Sequence, residues 1–279
     1  MSVFRNLRRG IGPALALAAG LGWADRSPAG EEPAKPGAGV AHFHAEAEAY
    51  RIALDAEPPR DLTLRAEPIL KWNNPVRRTE DGAVLLWTDR GRPGAVASFY
   101  QYKSEGEVRE AHEFASFATG PLIARSAGRV VWAPRVGLIP TPINDAPRPA
   151  GGAAERSRQA RSLAREFRAY YDNPPDQSEV RPLPQPLYHF DADAARPEVL
   201  DGSLFAFVHT TDPEVLLLIE ARATAGGGLP AWHYAIARMT MVNVVVRHKD
   251  REVWRAAWDN NTANVAKPYI TLSRPARER

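Results

Sequence analysis

Short matches recur along this 279-residue chain in a fixed order and at a slowly growing spacing, which directs it towards folds that can be built twice. Pro58-Pro59 and Arg65 correspond to Pro174-Pro175 and Arg181 at a spacing of 116 residues. Asp81-Gly82 followed by Pro93 corresponds to Asp201-Gly202 followed by Pro213 at 120. His112 and Thr119 correspond to His233 and Thr240 at 121, and Arg125, Arg129, Val131 and Trp132 to Arg247, Arg251, Val253 and Trp254 at 122. Duplication followed by small loop insertions leaves such a series. The added residues fall in DADAARPEV and TAGGGLP, both loop-like in composition.

The pattern of apolar residues predicts the same elements on either side of a Pro/Gly-rich connection at 136–153. Segments 45–55 and 154–172 are helical in composition, and each stops before a Pro-Pro pair, which cannot continue a helix. Strand pairs follow: AVLLWT with AVASFYQY, then SLFAFVHT with EVLLLIEAR. A last hairpin joins PLIAR to RVVWA around Ser126-Ala127-Gly128, and NVVVR to REVW around His248-Lys249-Asp250. The expected fold is therefore α+β, in two pseudo-repeated halves at 41–135 and 154–275, each a helix followed by an antiparallel β-meander and both packed as one globular unit. This order is similar to the topology of cystatin-like and NTF2-like folds, in which helix and curved sheet enclose a pocket.

Residues 1–24 read as a signal peptide: Arg5, Arg8 and Arg9, an apolar stretch from Ile11 to Leu21, then small residues ending at Ala24. That stretch is too short and too rich in Gly and Ala to span a bilayer, and a flexible linker is expected at 25–40. The formal net charge of +3 resides in those three arginines, so the rest of the chain is neutral and has no footprint for nucleic acid. A secreted or periplasmic protein without a membrane anchor after cleavage is expected. Having no cysteine, it relies on core burial rather than disulfides, and thiol catalysis and thiolate metal sites are excluded.

No catalytic signature stands out: G-x-S-x-G, the phosphate loop, G-x-G-x-x-G and the acidic EF-hand loop are all missing. His112-Glu113 opens like a zinc-protease helix, but Ser116 stands where the second histidine belongs. His112 and His233, at corresponding points of the two halves, could face one another across a pseudo-twofold axis; each could equally be a partly buried ring capping its sheet. Arg125 and Arg247 flank the final hairpins near Trp132 and Trp254, as a surface for an anionic or sugar ligand or as packing partners of the indoles. His189, Asp191 and Asp193 share one side of an extended segment, a weak metal candidate against an ordinary acidic loop. His44 and Glu48, within the group His42, His44, Glu46 and Glu48, have metal-binding spacing on a helix that also reads as a solvated face. No cofactor is implied.

The segments LYHFDADAARPEVLDGSLFAFVHTTDPEVLLLIEARA and AWHYAIARMT, with GRPGAVASFY and AHEFASFA, resemble a family of secreted bacterial proteins of planctomycete-type organisms over most of residues 41–272. The resemblance implies export and one globular unit and lends no catalytic residue. The leading expectation is an exported, non-enzymatic binding or scaffold protein with a small-molecule or other ligand. The alternatives are a hydrolase or lyase using His112 or His233 with Glu113 or the Asp191 and Asp193 carboxylates, and a glycan binder with at least two exposed tryptophans on one face.

Overall fold

Aromatic and β-branched residues fill the segments between turns, and nearly all of these segments are strands. The computed structural model describes residues 38–276 except 78, 105, 174–175, 225–227 and 261–263. The expected signal peptide, most of the expected linker and the Pro174-Pro175 pair lie outside the described residues.

The first part of the chain runs α1 (Ala38–Glu48), β1 (Tyr50–Leu54), β2 (Arg60–Asp61), β3 (Thr63–Leu64), β4 (Leu70–Asn74), a 3-10 turn (Pro75–Arg77), β5 (Thr79–Asp89), β6 (Arg92–Ser104), β7 (Glu107–Ser116), β8 (Leu122–Ser126) and β9 (Arg129–Trp132). After β10 (Thr141–Pro142) come α2 (Ala153–Ala164), β11 (Phe167–Asn173), β12 (Asp176–Pro182), β13 (Tyr188–Asp193), β14 (Arg196–His209), β15 (Asp212–Thr224), β16 (Gly228–Arg238), β17 (Val244–His248), β18 (Arg251–Ala256) and β19 (Tyr269–Pro275). A six-stranded sheet has the order β19-β7-β6-β5-β3, with β4 also on β5. A nine-stranded sheet has the order β10-β16-β15-β14-β12-β11-β17-β18, with β13 also on β14, and a third sheet is β2-β1-β8-β9.

The α+β expectation is overturned. Among the described residues the chain is mostly β, 59% strand against 11% helix, with two α-helices, in large antiparallel sheets that include a half-barrel. The error has a local cause. Segment 154–172 was expected to be one helix, but after Ala164 the burial alternates: Phe167 and Ala169 are buried while Arg168 is exposed, which is the period of a strand. Tyr50 and Ile52 are likewise buried around the exposed Arg51. Each expected helix thus ends early and hands its second portion to a sheet. β12 pairs with both β11 and β14, through Ala169↔Val180 and Arg181↔Val208, and so merges the second set of strands into one curved sheet. A break at Leu62, between β2 and β3, keeps the first set as two sheets.

Several pairings recur with the same local geometry. Trp132 lies opposite Ala124 in β8–β9, and Trp254 opposite Val246 in β17–β18. Trp72 lies opposite Gly82, and Phe190 opposite Gly202. A Cβ on Gly82 would come within 2.2 Å of the Trp72 ring, and one on Gly202 within 2.4 Å of the Phe190 ring, so both Asp-Gly pairs keep a flat ring on the sheet. Ala127-Gly128 and Lys249-Asp250 turn the two final hairpins at positive φ, as a two-residue type I′ turn requires.

Both large sheets are buried on both faces. Between them, Val84, Leu86 and Val96 meet Leu204, Val208, Leu216 and Leu218. On its outer face the six-stranded sheet packs Leu85, Trp87 and Phe99 with Phe43 of α1, Ile52 and Trp132. The nine-stranded sheet packs Phe207, Leu217 and Ile219 with Ala160 and Leu163 of α2 and with Val246. Each fully buried aliphatic side chain contributes about 1.5–3 kcal/mol, whereas a buried ion pair such as Arg92–Glu220, at 2.6 Å, is close to neutral overall. Apolar burial therefore holds the sheets together, and the ion pair fixes how they are registered.

Each set of strands also closes an edge of the other. β19, from the end of the chain, pairs with β7 over seven residues, from Tyr269↔Ala115 to Pro275↔Arg109. β10, from the middle, pairs with β16 at only two, Thr141↔Tyr234 and Pro142↔His233.

Candidate functional site

The unequal lengths of β10 and β19 create the site. Beyond Tyr234 the outer edge of β16 has no partner strand among the described residues. The chain that could have covered it is drawn away: Leu138 donates its N–H to the Ala118 carbonyl at 2.8 Å, and Gly137 lies so close to Thr119 that a Cβ would stand 2.1 Å from its carbonyl oxygen. A cavity of about 420 Å³ opens between 136–139, the 234–238 edge, the Val253, Trp254 and Ala256 side chains of β18, and 267–269 leading into β19. Its mouth is apolar and exposed, with Val136 at 68% and Ile139 at 81% of full accessibility. Exposed apolar residues that adjoin a cavity mark binding surfaces more often than isolated ones do.

Charged groups form part of the lining. Arg238 donates Nε to the Thr240 carbonyl at 2.5 Å, Nη1 to Ala257 at 2.7 Å and Nη2 to Val242 at 3.0 Å, with its guanidinium 5.2 Å from the centre of the Tyr269 ring. Lys267 donates Nζ to both Asp259 oxygens, at 2.7 and 2.5 Å. Ser116 also lines the cavity; it is 2% exposed, and its buried hydroxyl has no hydrogen-bond partner among the described residues.

Behind this wall lies a buried acidic group. Tyr269 donates its hydroxyl to Glu113 Oε1 at 3.0 Å, and Tyr100 does so at 3.2 Å. Burial, reinforced by Asp212 and Glu214 and opposed by these hydrogen bonds, pushes the Glu113 carboxyl up to about 8. Burial and the neighbouring Glu214, opposed by Arg77, push Asp212 up to about 7. Arg77 bridges Asp212 at 3.0 Å and Glu214 at 2.9 Å, joining the 3-10 turn to β15. Glu113 was legible as a candidate; Arg77, Asp212 and Glu214 were not, because no local spacing links residues so far apart in sequence.

The other expected residues fall elsewhere. His112 is 1% exposed; it accepts from Tyr50 at Nδ1 and donates from Nε2 to Glu110, both at 2.7 Å, and burial lowers its pKa against the Glu110 bond. His233 does not occupy the corresponding place. His112 stands opposite Phe99, and the residue opposite Ile219, the counterpart of Phe99 at a spacing of 120, is Tyr234. The sequence match was one residue out of register, which turns a strand side chain to the opposite face. The half-buried His233 instead meets the Ala231 carbonyl at 3.3 Å, in a different sheet from His112. No shared histidine cleft forms.

Arg125 is exposed on β8, and Arg247 lies 5.3 Å from the Tyr170 ring centre; neither lines the cavity. His189 contacts Asp191 at 3.4 Å, while Asp193 accepts from the Ala195 N–H at 2.8 Å, so the three side chains do not converge on one point. His44 pairs with Glu48 at the surface. His42, Glu46 and Glu110 do converge, but Arg274 pairs with both carboxylates and supplies the positive charge. Although burial pushes Glu110 up, hydrogen bonds from His112, His42, Arg274 and Gln101 hold it well below the usual carboxylate range. Trp72, Trp87, Trp132 and Trp232 are buried; Trp254 is half-buried in the cavity wall, and Trp258 is 56% exposed.

Comparison of the chain with protein-family models, with curated proteins and with solved structures gives no match.

Proposed function

We propose that this chain is an exported, non-enzymatic binding protein whose ligand occupies the cavity beside β16. One observation carries the reading: a cavity of about 420 Å³, within the size range of small-molecule sites, whose exposed mouth is formed by Val136 and Ile139. The charged groups around it, Arg238, Lys267 and Asp259, are engaged in holding backbone and each other, which suits binding better than turnover. Export rests on the sequence of residues 1–24, and no helix among the described residues is long and apolar enough to cross a membrane. The recurring ring-over-glycine and hairpin pairings support an internal duplication of a strand-rich unit.

Ala256, at the cavity wall, gives the test. An apolar fluorescent dye should bind the native protein and be displaced by apolar small molecules. Ala256→Phe should fill the space, lower dye affinity at least about tenfold and leave the melting midpoint within a few degrees. Unchanged dye affinity in that variant, or no dye binding to the native protein, contradicts the proposal.

A further inference from the structure

The main chain of β16 specifies what the cavity beside it can hold. Successive residues of a strand turn their N–H and C=O groups to alternate edges, and two hydrogen bonds fix the alternation here. Met239 donates its N–H to the Glu214 carbonyl at 2.8 Å, so odd-numbered residues face β15. Trp232 accepts from the Ile143 N–H at 2.8 Å, so even-numbered residues face outward, and no register shift falls between 231 and 238 to change this. Trp232 and Tyr234 thus meet the β10 chain, whereas the outward N–H and C=O groups of Ile236 and Arg238 bond nothing among the described residues. Ile236 is 7% exposed, and a buried main-chain group without a partner costs free energy. In the register of β10, Ile139 and Gly137 would stand opposite Ile236 and Arg238, but the bond from Leu138 to Ala118 carries them away. The cavity fills the place they leave and extends to Val253, Trp254 and Ala256 of β18, at the far end of the same curved sheet. It is therefore a gap between the two ends of one sheet, with an unpaired ladder on one side and apolar side chains on the other.

Resting on the binding reading above, we infer that the cavity takes a short extended peptide, which adds to β16 as an antiparallel strand at Ile236 and Arg238. Such an addition draws affinity from main-chain hydrogen bonds and selectivity from alternate side chains. Residues paired across two strands share a face, so the peptide residues opposite Ile236 and Arg238 point to the side where Ile236 packs with Val253 and Trp254, and apolar β-branched residues suit them. The residues between them turn to the face of Ala235 and Ala237, with their N–H groups directed away from β16. The Arg238 and Lys267 side chains keep the partners they already hold.

The test is isothermal titration of the full chain with acetyl-Thr-Val-Thr-Val-Thr-amide, whose two valines match the positions opposite Ile236 and Arg238. N-methylation of both valines removes the donors to those two carbonyls and should weaken binding at least tenfold, each hydrogen bond being worth about fivefold. N-methylation of the threonines, whose N–H groups face away, should leave affinity within about threefold. Ala256→Phe, with its melting midpoint reporting the fold, should weaken the unmodified peptide at least tenfold. Equal affinity of the two methylated peptides overturns strand pairing, and a peptide affinity unchanged in Ala256→Phe puts the peptide on another edge and likewise overturns the inference. Self-association of the native protein that Ala256→Phe abolishes makes a second copy the occupant and overturns it too. If the native protein binds the apolar dye but not the peptide, the inference falls while the binding reading stands; if it binds neither, both fall.

Discussion

Trp132 donates its indole N–H to the main-chain carbonyl of Lys267 at 2.9 Å, across 135 residues of sequence. The ring itself is wholly buried in the core beneath the six-stranded sheet. One side chain thus ties the last strand of the first meander to the segment that carries the cavity's lysine and leads into β19. The hydrogen bond is what the sequence correspondence between Trp132 and Trp254 conceals: Trp254 lines the cavity, whereas Trp132 anchors its wall.

Trp132→Phe should therefore retain most of the packing and lose the tether. A destabilisation of roughly 1–3 kcal/mol is expected from the smaller ring and the missing hydrogen bond. Ligand affinity should fall as well, because Lys267 and Pro268 lose a fixed point. Chemical denaturation and titration of the same variant measure the two effects separately.

Glu113 predicts a particular dependence of stability on pH. Its carboxyl is raised from 4.5 to about 8 in the folded protein, so between these values the folded state holds a proton that the unfolded state has released. Stability from this group is complete below about pH 4.5 and is lost as pH rises through about 8, with a slope near 1.4 kcal/mol per pH unit. Asp212 has the same sign over its own window, from 3.8 to about 7. Glu113→Gln should flatten the decline between pH 5 and 9 and leave the variant more stable than the native protein at pH 9, as followed by urea denaturation across that range.

Arg92 and Glu220 test the claim that the inter-sheet ion pair sets registration rather than stability. Arg92 also donates to the Phe117 carbonyl at 2.6 Å, so Arg92→Met strands that carbonyl and leaves the buried Glu220 carboxylate with Arg222 alone, at a cost of about 3 kcal/mol. The double variant Arg92→Met with Glu220→Leu should recover much of that loss, and a double-mutant cycle in urea gives the coupling.

Gly202→Ala places a methyl 2.4 Å from the Phe190 ring and 3.0 Å from the Ile219 carbonyl oxygen. Overpacking of this kind costs about 1–3 kcal/mol. Adding Phe190→Leu should return part of the loss in thermal melts by relieving the ring contact.

The strand pairs were legible because their apolar runs are bounded by turn residues, and the Asp-Gly matches had a physical basis in the rings laid over Gly82 and Gly202. The two helices were overextended because AEAYRIALD and EFRAYYD are short enough to satisfy both helical and alternating patterns. Only pairing with β8 and β17, remote in sequence, decides between them. His233 was misplaced by a single residue, an error invisible in a list of matches and decisive on a strand. The cavity itself was illegible: it exists because Gly137 and Leu138 turn towards Ala118 and Thr119 instead of continuing along β16, a choice made by tertiary contacts alone.

The crossing of β10 and β19 also bears on the order in which this polypeptide can mature. The six-stranded sheet takes its outermost strand from residues 269–275, which a ribosome makes long after β7 at 107–116. Until then β7 presents an open backbone edge, so the nascent chain cannot finish its first sheet however long synthesis pauses. Completion waits until residues 269–275 have left the ribosome, long after the strands they cover.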